Sequence, residues 1–269
     1  MKILFFGDIV GDIGMQALSA ILPKLRKDFE ADFIIANGEN ASRGRGLIES
    51  DYEKLIDMGV DAVTLGNHWD SKKQIHDYLD DADQLIRPIN LLNYDHGVGS
   101  ALFEVNGFDV RVTNVLGQAF MKESVAAPYQ KMMELFQEEG ETAIHIVDFH
   151  AESTSEKALF AHVLDGRVSA VIGTHTHVQT NDPQIFEKGT GFLSDAGMCG
   201  AYCSVIGFDP EAAIEKMIFG KERRLSINDE ATPLVCFVYL EIDENTGRCL
   251  DIRPVSYIAG RPSNGEASI

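Results

Sequence analysis

The chain has 269 residues, with 23 basic against 42 acidic side chains and a formal net charge of −19. At about 150 residues per domain this length admits one large domain or two small ones, and an α/β domain of the full size buries roughly three quarters of its unfolded surface with no need of a disulfide. The hydrophobic and charged fractions, 45% and 24%, exclude a wholly disordered or fibrous chain. The acidic excess excludes a protein that tracks along nucleic-acid backbones, because such binding replaces counterions with Lys and Arg. It leaves room for one small anionic ligand at a local site.

From the N-terminus, Met1–Phe6 is a short apolar run that meets Asp8 at once, which predicts a first strand (Lys2–Gly7) and not a signal peptide. A helix follows over Met15–Phe29, where Leu18, Ile21, Leu22, Leu25 and Phe29 recur at helical spacing. Strand Asp32–Ala36, helix Ile48–Met58, strand Asp61–Leu65 and a helix around Ser71–Leu79 continue the alternation. These strands are continuous apolar runs, the pattern of strands covered on both faces. Ser100–Val105 and Asp109–Val115 flank Asn106-Gly107, a strong hairpin signal. Helix Ala126–Gln137, strand Thr142–Phe149, helix Thr154–Leu164 and strand Ser169–Gly173 come next. Thr190–Ser194, Leu234–Ile242 and Cys249–Tyr257 are late strands, the last two joined by a turn at Glu244–Gly247. The order predicts an α/β chain with parallel βα units first and a more antiparallel sheet later. Residues 1–258 read as one domain and 259–269 as a polar, disordered tail. No stretch approaches the 18 uncharged apolar residues of a membrane span, so no membrane partner is expected. Cys199, Cys203, Cys236 and Cys249 lack the second pair or nearby His of a zinc pattern and read as free thiols in a reducing cytoplasm.

Five strands end in a polar cluster: FFGDIVG with Asp8, IIANGEN with Glu39 and Asn40, VTLGNH with Asn67 and His68, HIVDFHAE with His150, and AVIGTHTH with His175 and His177. In a mostly parallel sheet the carboxyl ends of the strands open on one edge, where ligands bind. The residue types there are metal ligands, and their number exceeds what one tetrahedral ion needs, so two ions sharing a carboxylate fit better. Mixed oxygen and imidazole donors without thiolate suit Mn, Fe or Zn. An extended His-Thr-His would point both imidazoles to one side; a broken strand would let them serve different ions. A lone His at a strand end is more often a packed or surface residue, and His76, His96, His145 and His162 belong to that class. The conjunction of five such ends in a chain with eight His overrides that reading for the others.

The order Asp, Glu-Asn, Gly-Asn-His, His, His-x-His resembles the calcineurin-like metallophosphoesterase superfamily. Within it, GDIVG, NGEN, GNHW, DFHAE and GTHTH resemble the YmdB-like branch, similar to bacterial cyclic-nucleotide phosphodiesterases, over Met1 to about Ile258. The resemblance implies an αββα sandwich, two mixed sheets flanked by helices, with two metal ions at the strand ends. It implies Asp8, Glu39, Asn40 and His177 on one ion, and Glu39, Asn67, His150 and His175 on the other. Glu39 would bridge them together with a hydroxide that attacks phosphorus, and His68, itself free, would protonate the leaving oxygen. Most of the superfamily has His at the place of Val10, usually has Asp at that of Glu39, and in many members has an acidic residue at that of Trp69. Asn40 stands where it can replace the lost imidazole.

Arg43 and Arg45, just after Glu39 and Asn40, either contact a phosphate or belong to a solvated loop. Trp69 either stacks a nucleobase, since every base offers a π-face, or packs beneath the site. The expected activity is a dinuclear metallophosphodiesterase of small cyclic nucleotides of the 2′,3′ type. The alternatives are a phosphomonoesterase, or a metal-bearing regulatory or adaptor protein with little turnover. The expected partner is a small phosphodiester and not polymeric nucleic acid, with a homo-oligomer possible in principle. Neither a G-x-S-x-G elbow nor a G-x-x-x-x-G-K-[ST] phosphate loop is present.

Overall fold

A computed structural model describes residues 1–261. Its elements in chain order are β1 (Lys2–Ile9), α1 (Gly11–Asp28), β2 (Phe33–Asn37), α2 (Glu49–Asp57), β3 (Ala62–Thr64), α3 (Ile75–Tyr78), β4 (Leu85–Ile86), β5 (Ser100–Val105), β6 (Phe108–Leu116), α4 (Pro128–Glu139), β7 (Ile144–His150), α5 (Thr154–Val163), β8 (Ala170–Thr174), β9 (Gln184–Ile185), β10 (Gly191–Leu193), β11 (Met198–Ala201), α6 (Pro210–Met217), β12 (Pro233–Ile242) and β13 (Cys249–Ile258). They form two mixed sheets, β13-β12-β11-β1-β2-β3-β4 and β5-β6-β7-β8-β10-β9.

Alternation along β1 explains the layering. Ile3 and Phe5 enter a core shared with Val110, Val112, Ile144, Ile146 and Ile172 of the second sheet. Leu4 and Phe6 face the other way, into a cluster with Leu18, Leu22 and Leu25 of α1 and Leu55 of α2. On the far side, Val147, Phe149 and Val171 meet Phe136 of α4 and Phe160 of α5. Helices, sheet, sheet, helices: the molecule is an αββα sandwich, and strands in its middle are apolar on both faces because both faces are covered.

Parallel pairing runs through β1–β4 and through β6, β7, β8 and β10, so the carboxyl ends of β1, β2, β3, β7 and β8 share one edge of the sandwich. The late antiparallel strands do not build a sheet of their own. β12 lies beside β1, with Lys2 opposite Glu241 and Phe6 opposite Phe237, and then beside β11. The Asn106-Gly107 turn joins β5 to β6 with both residues left-handed, φ 53° and 83°, the backbone a two-residue hairpin turn requires.

Helix α1 starts at Gly11, four residues before its apolar periodicity begins. Glycines hide that turn from a propensity reading, and Gly14 is needed there because a Cβ would run into the Cys199 carbonyl of β11. The helix expected around Ser71–Leu79 shrinks to α3 and a 3-10 turn at Leu79–Asp81. Of the expected tail, Ala259 and Arg261 are tied back by their N–H groups to Pro233 and Ile258 carbonyls, 3.0 Å each; residues 262–269 lie outside the described residues. No helix among the described residues is long and apolar enough to cross a membrane.

Candidate metal centre

Asp8 sits one residue before the end of β1, and His150 is the last residue of β7. Glu39 and Asn40 follow β2, Asn67 and His68 follow β3, and His175 and His177 follow β8. The first sheet therefore supplies the carboxylates and amides, the second the imidazoles of 150, 175 and 177. Glu39, His150 and His175 offer ligand atoms within 4.8 Å of one another. Around them, Asn67 Oδ1 lies 3.0 Å from His150 Nε2, and His177 Nε2 lies 3.8 Å from Asp8 Oδ1. Gly66 lets these strands approach so closely, since a Cβ there would be 2.5 Å from His150 Nε2 and nearer still to Glu39 Oε2.

The strand is already broken where the two last imidazoles emerge. β8 stops at Thr174, and His175 and His177 take positive φ, 104° and 65°. They separate: His175 Nδ1 is 3.0 Å from His150 Nε2, whereas His177 Nε2 is 3.3 Å from Asn40 Nδ2.

Each imidazole is fixed by a partner on its outer nitrogen, as metal-ligating imidazoles commonly are. His150 Nδ1 donates to Thr174 Oγ1 at 2.9 Å, and that hydroxyl donates to Asp148 at 2.6 Å. His175 Nε2 faces Glu152 Oε2 at 3.1 Å. His177 Nδ1 donates to the Ile206 carbonyl at 2.8 Å. The inner nitrogens, His150 Nε2, His175 Nδ1 and His177 Nε2, are left with lone pairs aimed at the carboxylates. Burial holds both His150 and His175 down to about 4, the latter also repelled by His150, so both are neutral at pH 7. Asn67 Nδ2 points outward to Glu123 Oε1 at 3.5 Å, leaving Oδ1 inward.

Lone pairs and carboxylate oxygens cannot face one another unaided. Asp8 and Glu39 are fully buried, and neither is ion-paired to a Lys or Arg among the described residues. Burial raises the Asp8 pKa, as it must for a carboxylate short of cations. Buried charge of this kind is tolerated when paired or when it coordinates a metal. The donor set fits divalent cations. Asn40 shows the same demand: its Nδ2 donates to Glu39 Oε1 at 3.1 Å and faces Asp8 and His177, while Oδ1 meets His68 Nδ1 at 2.8 Å.

His68 lines the cavity beside this cluster, together with Val10, Gly44, Glu152, Thr176, Ile206 and Phe208; its volume is about 270 Å³. Its backbone N–H donates to Glu39 Oε2 at 2.7 Å. Burial lowers the His68 pKa, partly offset by Glu39, with the charge of Arg45 lowering it further. Arg45 is exposed and donates to Ser71 Oγ at 3.1 Å; Arg43 is exposed with φ 57° and is not among the cavity's lining residues. Trp69 does not line the cavity either. It packs on Tyr94, ring centres 4.6 Å apart, and on His76, the contacts of a packing aromatic. His96 pairs with Asp80, His145 with Thr113, and His162 stacks on Phe186, all away from the cluster.

Residues 4–255 match the family described as YmdB-like protein. The chain belongs to the YmdB-like family. A relative in Bacillus subtilis, 40% identical over 95% of this chain and 96% of its own length, is named 2′,3′-cyclic-nucleotide 2′-phosphodiesterase. A crystal structure from Mycoplasma pneumoniae described as a novel phosphatase superposes with a TM-score of 0.90 at 34% identity, covering 96% of this chain and 93% of the other. A hypothetical protein from Thermus thermophilus gives 0.89 at 36%, covering 96% and 99%.

In this YmdB-like chain several groups around the centre carry no sequence signal of their own. Asp148 is fully buried between the sheets, accepting from Thr174, Thr64 and Asn37 of three different strands, and burial pushes its pKa up to about 7. Lys157 of α5 is equally buried and paired with Asp195 at 2.8 Å. Asp195 also accepts from Thr176 N at 3.0 Å and Gly197 N at 2.8 Å, and the Gly197 carbonyl accepts from Asp8 N at 3.0 Å. One ion pair thus fixes the backbone on either side of the centre. A charge inside an otherwise apolar strand, as in HIVDFH, was the available hint; the partners lie too far along the chain to be paired by pattern.

Proposed function

We propose that this chain is a metal-dependent phosphodiesterase acting on small cyclic nucleotides of the 2′,3′ type. The observation that carries the reading is the convergence of three imidazole lone pairs on two buried carboxylates that lack a cationic partner. The Bacillus subtilis relative's name supports the substrate class. Asp8, Glu39, Asn40 and His177 would hold one ion, and Glu39, Asn67, His150 and His175 the other, Fe or Mn foremost and Zn also compatible with this donor set. Divalent ions at such a site supply an activated water and polarise phosphoryl oxygens.

The chain's own groups do the rest. Thr174, Glu152 and the Ile206 carbonyl keep the imidazoles in the tautomers that present lone pairs inward. Asn40 Oδ1 faces His68 Nδ1 at 2.8 Å, and as a ligand Asn40 would present that oxygen to the ion instead. His68 reaches the cavity without a ligand's duty, and as an imidazolium it donates a proton to the leaving ester oxygen. Arg45 adds positive charge near His68.

The Mycoplasma pneumoniae structure's description favours a second reading, a phosphomonoesterase. Metal-replete protein is offered adenosine 2′,3′-cyclic phosphate, bis(4-nitrophenyl) phosphate and 4-nitrophenyl phosphate. The expected outcome is preferential opening of the cyclic diester; a dominant monoester rate selects the second reading, and no turnover of any of the three rejects both.

A further inference from the structure

The polar cluster has one apolar wall. Val10, Ile206 and Phe208 line the same cavity as Glu39, Asn40, His68 and His177. Ile206 stands 46% exposed at its rim, beside groups that are among the most buried in the molecule. Exposed apolar groups beside convergent polar ones mark a place where an apolar part of a ligand is received.

The wall is built rigidly. Val205 and Phe208 exchange backbone hydrogen bonds of 2.9 and 3.0 Å, and Phe208 bridges onward to Ile227. Gly207 N donates to Ser204 Oγ at 2.8 Å, and that hydroxyl donates to the Ala201 carbonyl at 2.6 Å. Val10 seats the loop: a Cβ on Gly207, at φ 103°, would be 2.8 Å from Val10 Cγ1. Ile206 has φ 47°, a left-handed backbone that a β-branched residue adopts only when its surroundings impose it. The same residue's carbonyl holds His177, so the wall's position is tied to the centre.

We propose that Phe208, flanked by Ile206 and Val10, is a shelf for the planar group of the substrate, and that it is what makes this centre prefer a base-bearing cyclic diester. This inference rests on the function proposed above. The cavity, about 270 Å³, lies just under the roughly 300 Å³ at which small-ligand pockets begin, so it takes one compact group against the shelf. An aromatic face is suited to any base, because stacking uses the π-face and not hydrogen-bond readout. Val10 matters doubly. A large polar side chain there would open the wall, whereas valine closes it and holds Gly207 in place.

The test compares wild type, Phe208→Ala and Phe208→Tyr on two five-membered cyclic diesters, adenosine 2′,3′-cyclic phosphate and the base-free glycerol 1,2-cyclic phosphate. The ratio of kcat/KM for the two substrates is expected to fall roughly tenfold in Phe208→Ala, through KM, as loss of one stacking partner requires, and to recover in Phe208→Tyr. In parallel, calorimetric titration reads adenosine 3′-phosphate against ribose 5-phosphate on each metal-replete protein. The same discrimination is expected there. An unchanged ratio, or an equal loss on both substrates with loss of bound metal, overturns the shelf. If wild type opens neither diester the proposed function fails, and the titrations alone decide whether Phe208 discriminates a base.

Discussion

His68 meets the cluster through its backbone N–H, donated to Glu39 Oε2, and through Nδ1, facing Asn40. Only the second contact belongs to the side chain. His68→Ala therefore keeps the hydrogen bond that orients Glu39, and the expected result is retained metal with turnover lowered by roughly 10²–10⁴-fold, the worth of a positioned general acid. Asp8 is the opposite case. Its carboxylate accepts from His175 N at 3.1 Å and faces His177 and Asn40, so Asp8→Ala removes a donor and an orienting contact together, and metal content falls with activity. Metal analysis beside initial rates separates the two variants. Full activity in His68→Ala removes its role as acid; full metal content in Asp8→Ala removes that residue from the donor set.

Between elements, the Lys157–Asp195 pair governs more than its own energy. Breaking a buried pair by deleting one partner costs about 3–5 kcal/mol, whereas replacing both by apolar groups is often neutral. Lys157→Met is thus expected to lower the free energy of unfolding in urea by about that much, and Lys157→Met/Asp195→Leu to recover only part of it, because losing Asp195 also orphans two backbone N–H groups at about 1–3 kcal/mol each. The double variant still lacks an acceptor for Thr176 N and Gly197 N. Its bound metal should remain low even as part of the stability returns; metal bound as in wild type would limit the pair to stability. The parallel strands and the ligand-type residues at their ends were legible because each is a local pattern: an apolar run, then Asp, Glu-Asn, Asn-His or His. The supports were not, because Lys157 meets Asp195, and Asn37 meets Asp148, only after the sandwich closes. Trp69 and Arg43 sit next to ligand-bearing segments in sequence, yet a turn of backbone carries both off the cavity. Phe208 is nowhere near a motif and lines it.

For the whole molecule, the charge of −19 acquires a place. Two divalent ions at Asp8 and Glu39, as proposed, would make the centre locally cationic inside an acidic protein, which would repel long polyanions while admitting one phosphate. The response of the fold to acid draws on two other buried groups, His145, away from that centre, and Asp148, bonded through Thr174 to His150. His145 is fully buried, with Nε2 on Thr113 Oγ1 at 2.8 Å and, among the described residues, no hydrogen-bond partner for Nδ1. Burial, and then the charge of Arg111, hold its pKa at about 3 against 6.5 for the free imidazole. A depressed histidine means that the unfolded chain binds the proton first. Its contribution to stability is complete above pH 6.5 and is lost as pH falls toward 3, at up to about 1.4 kcal/mol per pH unit. Asp148 runs the other way: with its pKa raised to about 7, its contribution is present at low pH and lost as pH rises through that value. His145→Leu removes the first and leaves the second. Relative to wild type, the variant should gain up to about 1.4 kcal/mol for each pH unit below 6.5, read as the difference in urea unfolding free energy at pH 7, 6, 5 and 4. A difference that stays constant across those four pH values would mean that His145 is not neutral in the fold, and the acid response would then have to be assigned to the imidazoles of the centre itself.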